Sequence, residues 1–255
     1  MNIIGIIPSR YQSKRFPGKP LADVNGKSMI RRVYEQAKKA KSLSKVVVAT
    51  DDSRIQQHVK SFGGEVVMTS SSHKTGTDRC NEAVQKLGNE IEWDVVINIQ
   101  GDEPFIHPGQ VDEVAGCFNP SPALPEGEGE PTLIATLIKQ IDTTERLLNP
   151  NVIKVIINKN KEAIYFSRAA IPFFRNKDDT QWLSQHKYYR HIGIYGYRLD
   201  ILRQITRLEQ SPLEIAESLE QLRWIENGYK IKIEFTDYES AGVDAPEDLV
   251  GGKEN

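Results

Sequence analysis

Residues 46–68 read VVVATDDSRIQQHVKSFGGEVVM. Val46 to Ala49 make a short, continuous apolar run, the pattern of a strand buried on both faces. Ile55, Val59 and Phe62 then recur at helical spacing, and Gly63-Gly64 supplies the residue type that ends helices. Val66-Val67-Met68 is apolar again. The same alternation extends in both directions. Ile3 to Ile7 is a buried-strand run, and from Ser28 the residues Met29, Ile30, Val33, Tyr34 and Ala37 follow a helical period. Downstream, Cys80, Ala83, Val84 and Leu87 form a helical stripe closed by Gly88. Val95 to Ile99 is a further strand, and Val111, Val114, Ala115 and Phe118 mark a further helix. Strand–helix units in succession predict an α/β fold, a doubly wound, mostly parallel sheet. Ligands bind such sheets beyond the carboxyl ends of the strands. The polar clusters fall there: Pro8 to Lys19, Thr50 to Asp52, His73 to Arg79, and Gln100 to Pro104.

The second half reads differently. Asn119 to Pro131, rich in Pro, Gly and Glu, is expected to be an exposed loop. Val152 to Ile157 and Ala163 to Phe166 flank Asn158-Lys159-Asn160-Lys161, a hairpin signal, and Tyr188 to Tyr197 is another strand. A smaller antiparallel insertion at about residues 150–200 is expected within one domain spanning 1–255, as a lid or a dimer surface. Leu213 to Asn227 is predicted as one helix with Ile215, Leu219 and Leu222 as its core stripe, opened by the capping box Ser211-Pro212-Leu213-Glu214. Tyr229 to Phe235 is a last strand, and Gly242 to Glu247 opens a terminal helix.

Composition narrows the function. The chain of 255 residues is 38% hydrophobic and 27% charged, which suits a globular core. Its 33 basic and 35 acidic residues nearly cancel, so no global field draws it to nucleic acid or to an anionic membrane. Cys80 and Cys117 are expected on apolar helix stripes as small core residues, with no zinc-type spacing. The opening MNIIGIIPSR lacks a basic leader pattern, and no apolar run reaches membrane-spanning length, so a cytoplasmic protein is expected.

Two loops carry the chemistry. Arg10, Lys14, Arg15 and Lys19 crowd into the loop after the first strand, where they suit a polyphosphate or form a solvated basic loop. Neither G-x-x-x-x-G-K-[ST] nor G-x-G-x-x-G is present. Asp102 and Glu103 follow a buried strand, where carboxylates suit Mg²⁺ with phosphate oxygens, or equally cap the next turn. Asp244 in Gly242 to Leu249 reads as a metal ligand or as an N-cap. His73 to Arg79 precedes a helix with Thr77 or Asp78 as the N-cap. By strand alternation His191 and Tyr195 share a face, lining a pocket or forming an exposed aromatic surface. Glu214, Glu217, Glu220 and Gln221 fit a solvated acidic helix face, with Glu214 in the capping box. Asp51, at a second strand end, leaves a ribose-binding dehydrogenase as an alternative, against which the missing glycine fingerprint and the crowded cations weigh.

IIPSRYQSKRFPGKPL at 6–21 resembles the signature P-A-R-x-x-S-x-R-[LF]-P-G-K-P-L of the 3-deoxy-manno-octulosonate (KDO) cytidylyltransferases, with Ser9 in place of Ala. HKTGTDR, INIQGDEP, SRAAIP, HIGIYGYR, LEQLR and GVDAPEDL match further motifs of that family in order, with Thr75 for Ser and Ala245 for Thr. The resemblance implies a nucleotide-diphospho-sugar transferase-like fold, CTP and KDO as substrates, and CMP transfer that activates KDO for lipopolysaccharide synthesis. It implies that Arg10, Arg15 and Lys19 bind the CTP phosphates. Gly76, Thr77, Arg79 and Gln100 would hold the nucleotide, and Asp102 and Asp244 would hold Mg²⁺. It also implies that Gln100, Arg168, His191, Tyr195, Glu220 and Gln221 meet the acceptor sugar, with Arg15, Lys19, Asp102 and Asp244 supporting catalysis. Family members are typically homodimers. Two alternatives are a cytidylyltransferase for another acidic sugar (8-amino-KDO or a sialic-acid-like nonulosonate) and a non-catalytic sugar-nucleotide binding protein.

Overall fold

The computed structural model describes residues 1–12, 16–88, 91–119, 131–239 and 242. Two compact units divide the chain. One comprises Met1–Gly116, Ile194–Thr206 and Tyr238–Asn255, the other Cys117–Gly193 and Arg207–Asp237.

The first unit follows the alternation of its sequence. Its elements are β1 (Ile3–Ser9), the short hairpin β2 (Asp23–Val24) and β3 (Lys27–Ser28), α1 (Met29–Ala37), β4 (Lys45–Thr50), α2 (Ser53–Ser61), β5 (Val66–Met68), α3 (Gly76–Lys86), β6 (Val95–Asn98) and α4 (Pro108–Gly116). The strands lie in the order β6-β1-β4-β5, all parallel, with Ile6 opposite both Val47 and Asn98. Ile4, Ile6, Ile7, Val48 and Val96 have no exposed surface, as expected for strands covered on both faces. Caps set the helix starts. Ser28 accepts from Arg31 N in α1 (3.4 Å), and Asp52 accepts from Arg54 N in α2 (2.9 Å). Gly63 and Gly88, with φ of 78° and 77°, end α2 and α3 as the sequence predicts.

The second unit begins with β7 (Ile134–Gln140), α5 (Thr144–Leu148), β8 (Lys154–Ile157), β9 (Ala163–Ser167) and α6 (Trp182–Gln185). Strand β10 (Tyr189–Arg198) gives its first half to this unit and its second half to the other, where α7 (Leu199–Ile205) follows. The second unit then continues with α8 (Pro212–Glu217), α9 (Gln221–Glu226) and β11 (Ile231–Phe235). The hairpin predicted around Asn158 is present as antiparallel β8–β9, and β10 adds antiparallel to β8. Beside them β11 runs parallel to β7, Ile231 opposite Ile134. In the first unit, residues 195–198 of β10 pair antiparallel with β6, placing one reversed strand in the parallel sheet.

Three local expectations are corrected. The segment 213–227 is two short helices, because Ser218 adopts a left-handed conformation (φ 53°) that ends α8. The break changes the helical phase. Leu219 and Leu222 are buried, whereas Ile215, expected in the core, is 63% exposed. Cys117 lies one residue past α4 and is partly buried, so of the two cysteines Cys80 alone sits on a helix stripe. Among the described residues no helix is long and apolar enough to cross a membrane.

Candidate active site

Polar side chains gather at the carboxyl edge of the first unit's sheet. There β1 and β6 run side by side, and the loop after β6 closely approaches the end of β1. A Cβ on Gly101 would lie 2.8 Å from the Pro8 carbonyl oxygen, so this close approach requires glycine. Across the gap, Lys19 extends from a short 3-10 turn (Lys19–Leu21) and donates to Asp102, Nζ to Oδ2, 2.8 Å. The lysine side chain is 11% exposed and the aspartate 41%, so the carboxylate keeps an open side.

Arg79 lies on the first turns of α3 with no exposed surface. Its Nη1 donates to Thr69 Oγ1 (2.5 Å), and Nη2 lies 3.2 Å from Asp51 Oδ2. Burial pushes the pKa of this guanidinium down, Asp51 pulls it back up, and the charge of Arg10 lowers it again. Arg10 is therefore within electrostatic reach of Arg79. Asp51 is an ion-pair partner here, which explains its place at the end of β4 without a ribose. Ser9 Oγ, Asn98 Oδ1 and Arg79 Nε are all buried with no hydrogen-bond partner among the described residues. Unsatisfied buried polar atoms are uncommon in folded proteins, so each of these three calls for an explanation.

The loop before α3 is organised differently from expectation. Thr75, rather than Thr77 or Asp78, is the N-cap: its Oγ1 accepts from Asp78 N (3.1 Å), while Asp78 Oδ2 accepts from Thr75 N (3.2 Å). Asp78 is the third-position partner of a capping box, which forces the cap three residues earlier. Thr77 is buried on the first turn, and Gly76 packs against Pro8. His73 bonds to Glu82 through Nε2. Burial would raise the Glu82 carboxyl, but donors from Lys86, the Ser70 amide and His73 outweigh it and hold its pKa at about 2.

Sequence reasoning missed Tyr11 and Arg54. The Arg54 guanidinium stacks 3.3 Å above the Tyr11 ring, and the Tyr11 carbonyl accepts from Gly18 N (2.9 Å), closing the basic loop at both ends. Nothing in residue spacing links positions 11 and 54. Arg15 and Asp244 lie outside the described residues. Gly242 is described, and a Cβ built on it would lie 4.0 Å from the Asp102 carbonyl oxygen.

The residues expected on the acceptor side fall mainly in the second unit. Arg168, just after β9, donates from Nε to the Glu217 carbonyl (2.7 Å), from Nη1 to the Pro150 carbonyl (3.1 Å) and from Nη2 to the Ser218 carbonyl (3.5 Å). His191 is partly buried, 3.0 Å from Thr136 Oγ1 through Nε2, with the Phe166 ring set edge-on at 5.3 Å. Burial, helped by the neighbouring Arg190 charge, lowers its pKa to about 3, so the ring is neutral. Glu220 and buried Gln221 stand at the start of α9. Gln100 follows β6 in the first unit and is partly buried. On the first-unit half of β10, Tyr195 is 6% exposed and its ring stacks with Tyr197 at 5.9 Å. The alternative of an exposed aromatic face is thereby excluded.

Comparison with known proteins gives a consistent result. Residues 4–232 match the family model described as cytidylyltransferase. A protein of Parabacteroides distasonis named 3-deoxy-manno-octulosonate cytidylyltransferase is 56% identical over 253 residues, covering 98% of this chain and 96% of its own length. One of the same name from Bacteroides thetaiotaomicron is 54% identical, covering 100% and 98%. The solved structure of a CMP:2-keto-3-deoxy-manno-octonic acid synthetase complexed with CTP superposes with a TM-score of 0.86 at 40% identity, covering 98% of this chain and 96% of the other.

Proposed function

Because the chain belongs to the 3-deoxy-manno-octulosonate cytidylyltransferase family, we propose that it transfers CMP from CTP to KDO, releasing pyrophosphate. The observation that carries this is the Lys19–Asp102 pair beyond the ends of β1 and β6, with Arg10 just after β1 and within electrostatic reach of Arg79, which is tied to Asp51 and Thr69 after β4 and β5. In the reaction the anomeric hydroxyl oxygen of KDO bonds to the α-phosphorus. The bond to the bridging oxygen breaks, pyrophosphate leaves, and the hydroxyl proton passes to solvent. The chain's contribution is positioning and charge neutralisation. Arg10, Arg15 and Lys19 bind the phosphates, and Arg15 and Lys19 stabilise the charge building on pyrophosphate. Gly76, Thr77, Arg79 and Gln100 hold the nucleotide. Arg168, His191, Tyr195, Glu220 and Gln221 bind the acid sugar. His191, neutral and tied to Thr136, serves as a hydrogen-bonding group and not as a cation.

The donor set suits Mg²⁺, a hard cation that takes one or two carboxylates and fills its remaining positions with phosphate and water oxygens. Asp102 presents a half-open carboxylate whose Oδ2 already receives a cation, the Lys19 ammonium. Gly242 stands beside the Asp102 backbone, and Asp244, the second proposed ligand, is two residues further along the sequence. Bound there, Mg²⁺ would neutralise charge on the triphosphate and lower the pKa of a coordinated hydroxyl. The product is proposed to feed lipopolysaccharide synthesis in the cytoplasm, with the protein acting as a homodimer.

The test is pyrophosphate release with Mg²⁺, each of the four common nucleoside triphosphates, and KDO beside 8-amino-KDO and sialic acid. Release restricted to CTP with KDO supports the proposal. Release with CTP and a different acid moves the acceptor assignment. Absence of release from folded, CTP-binding protein refutes catalysis.

A further inference from the structure

Glu217 has no role in the proposed chemistry, yet its contacts converge on Arg168. Its Oε1 accepts from Ser167 Oγ (2.6 Å) and its Oε2 from Arg168 N (2.9 Å), holding the Ser167 side chain and the Arg168 backbone amide together. Its main-chain carbonyl accepts from Arg168 Nε (2.7 Å). The next residue, Ser218, holds φ at 53°, which ends α8 and turns a second carbonyl toward Nη2 (3.5 Å). Pro150 supplies a third carbonyl, to Nη1.

A guanidinium has five N–H donors. Three are bonded here to carbonyls and none to a carboxylate, so the orientation is fixed while the positive charge is left for an anion. Lys154 lies opposite Ser167 in the β8–β9 ladder with no exposed surface, bonded to the carbonyls of Asn149 (2.8 Å) and Val152 (2.6 Å). Burial lowers its pKa to about 8, with Glu217 acting upward and Arg168 downward, so the three groups feel one another. Lys154 and Arg168 are thus two cations whose charges act at the same place as the Glu217 carboxylate.

We infer that Glu217, with the left-handed turn at Ser218, is a positioning residue that presents Arg168 to the carboxylate of the acid sugar. The inference rests on the acceptor assignment made above. Glu217 touches no substrate in this scheme and acts through Arg168.

The test is a double-variant cycle on the full chain, reading KM for KDO and KM for CTP separately in Glu217→Ala, Arg168→Ala and the double variant. Misplacing a positioned group costs on the order of 10–100-fold. The expected result for Glu217→Ala is a KM for KDO raised by about that factor with KM for CTP unchanged, and no further rise when it is added to Arg168→Ala. Additive effects, or an unchanged KM for KDO in folded Glu217→Ala, overturn the inference. If Glu217→Ala does not fold, Ser218→Gly, which accepts φ 53°, should keep the wild-type KM for KDO, and Ser218→Val, which does not, should raise it. Equal values in the two Ser218 variants also overturn it. A wild-type chain that releases no pyrophosphate with any sugar acid removes the functional reading and this inference together, whereas wild-type release with additive variants removes the inference alone.

Discussion

Removing the Glu214 carboxylate should be among the most destabilising single changes in the second unit. Glu214 and Arg223 face each other with side chains each 6% exposed. Arg223 Nε donates to Oε2 at 2.7 Å and Nη2 to Oε1 at 2.6 Å, a two-pronged pair. The same carboxylate accepts from Ser211 N and Gln210 Nε2, both at 3.3 Å. Burial alone would raise the Glu214 pKa, yet the Arg223 and Gln210 donors bring it below its ordinary value, so the ion is present at neutral pH. Glu214→Ala leaves a buried guanidinium without this counter-charge, a defect that costs about 3–5 kcal/mol. Removing both ions in Glu214→Leu/Arg223→Met should recover most of that loss, because two desolvated charges disappear together. Urea titration followed by hydrogen exchange on 207–237 would measure it. Since α8 and α9 also carry the Ser218 carbonyl and Gln221, the single variant should raise KM for KDO and leave CTP binding intact. A loss below about 1 kcal/mol in Glu214→Ala, or a double variant worse than the single, would refute this account of the pair.

Three further outcomes are expected. Asp102→Asn should lower kcat by at least about 100-fold while the far-ultraviolet spectrum and melting curve stay unchanged, and activity near wild type would remove Asp102 from the site. Gly101→Ala should weaken CTP binding in calorimetry, because its Cβ would sit 2.8 Å from the Pro8 carbonyl and push the loop after β6 away from β1; unchanged affinity would mean that the loop yields freely. For His191, the folded pKa of about 3 lies below the ordinary 6.5. The neutral ring's contribution is therefore complete above pH 6.5 and is lost as pH falls toward 3, by up to ~2 kcal/mol between pH 7 and pH 5. His191→Gln should flatten that part of the stability–pH curve, and an unchanged slope in the variant would place the titration elsewhere.

The fold was legible where one physical rule dominates. Strands buried on both faces have continuous apolar sequences, so β1, β4 and β6 stood out; β5 is apolar too, though only partly buried, and Gly63 and Gly88 punctuated the helices between them. Strand β7 escaped, although Ile134 to Ile138 is buried throughout, because its run lies beside an aperiodic loop and the helix after it, α5, has only 5 residues, too few to show a helical period. The break at Ser218 was invisible because a left-handed serine leaves no compositional trace. At the candidate site, the cation cluster of the first loop and the acidic motif after β6 were readable as motifs, and Lys19 and Asp102 do meet. The ties among Arg79, Asp51 and Thr69, between Tyr11 and Arg54, and between Arg168 and Glu217 were not readable. Each joins residues distant in sequence through geometry that the folded chain alone supplies.

The buried Arg79 also bears on how such a protein can change over time. A guanidinium with no exposed surface and a second cation nearby is a poor choice for a chain selected on stability alone. Methionine at 79 together with an apolar residue at 51 would remove a desolvated ion pair and could leave the empty protein firmer. In a lineage released from its ligand, position 79 should therefore drift early, ahead of the surrounding apolar core. Under the proposed function its presence is explained by nucleotide binding, and a stability-guided redesign of this fold would be drawn toward the very residue it should leave alone.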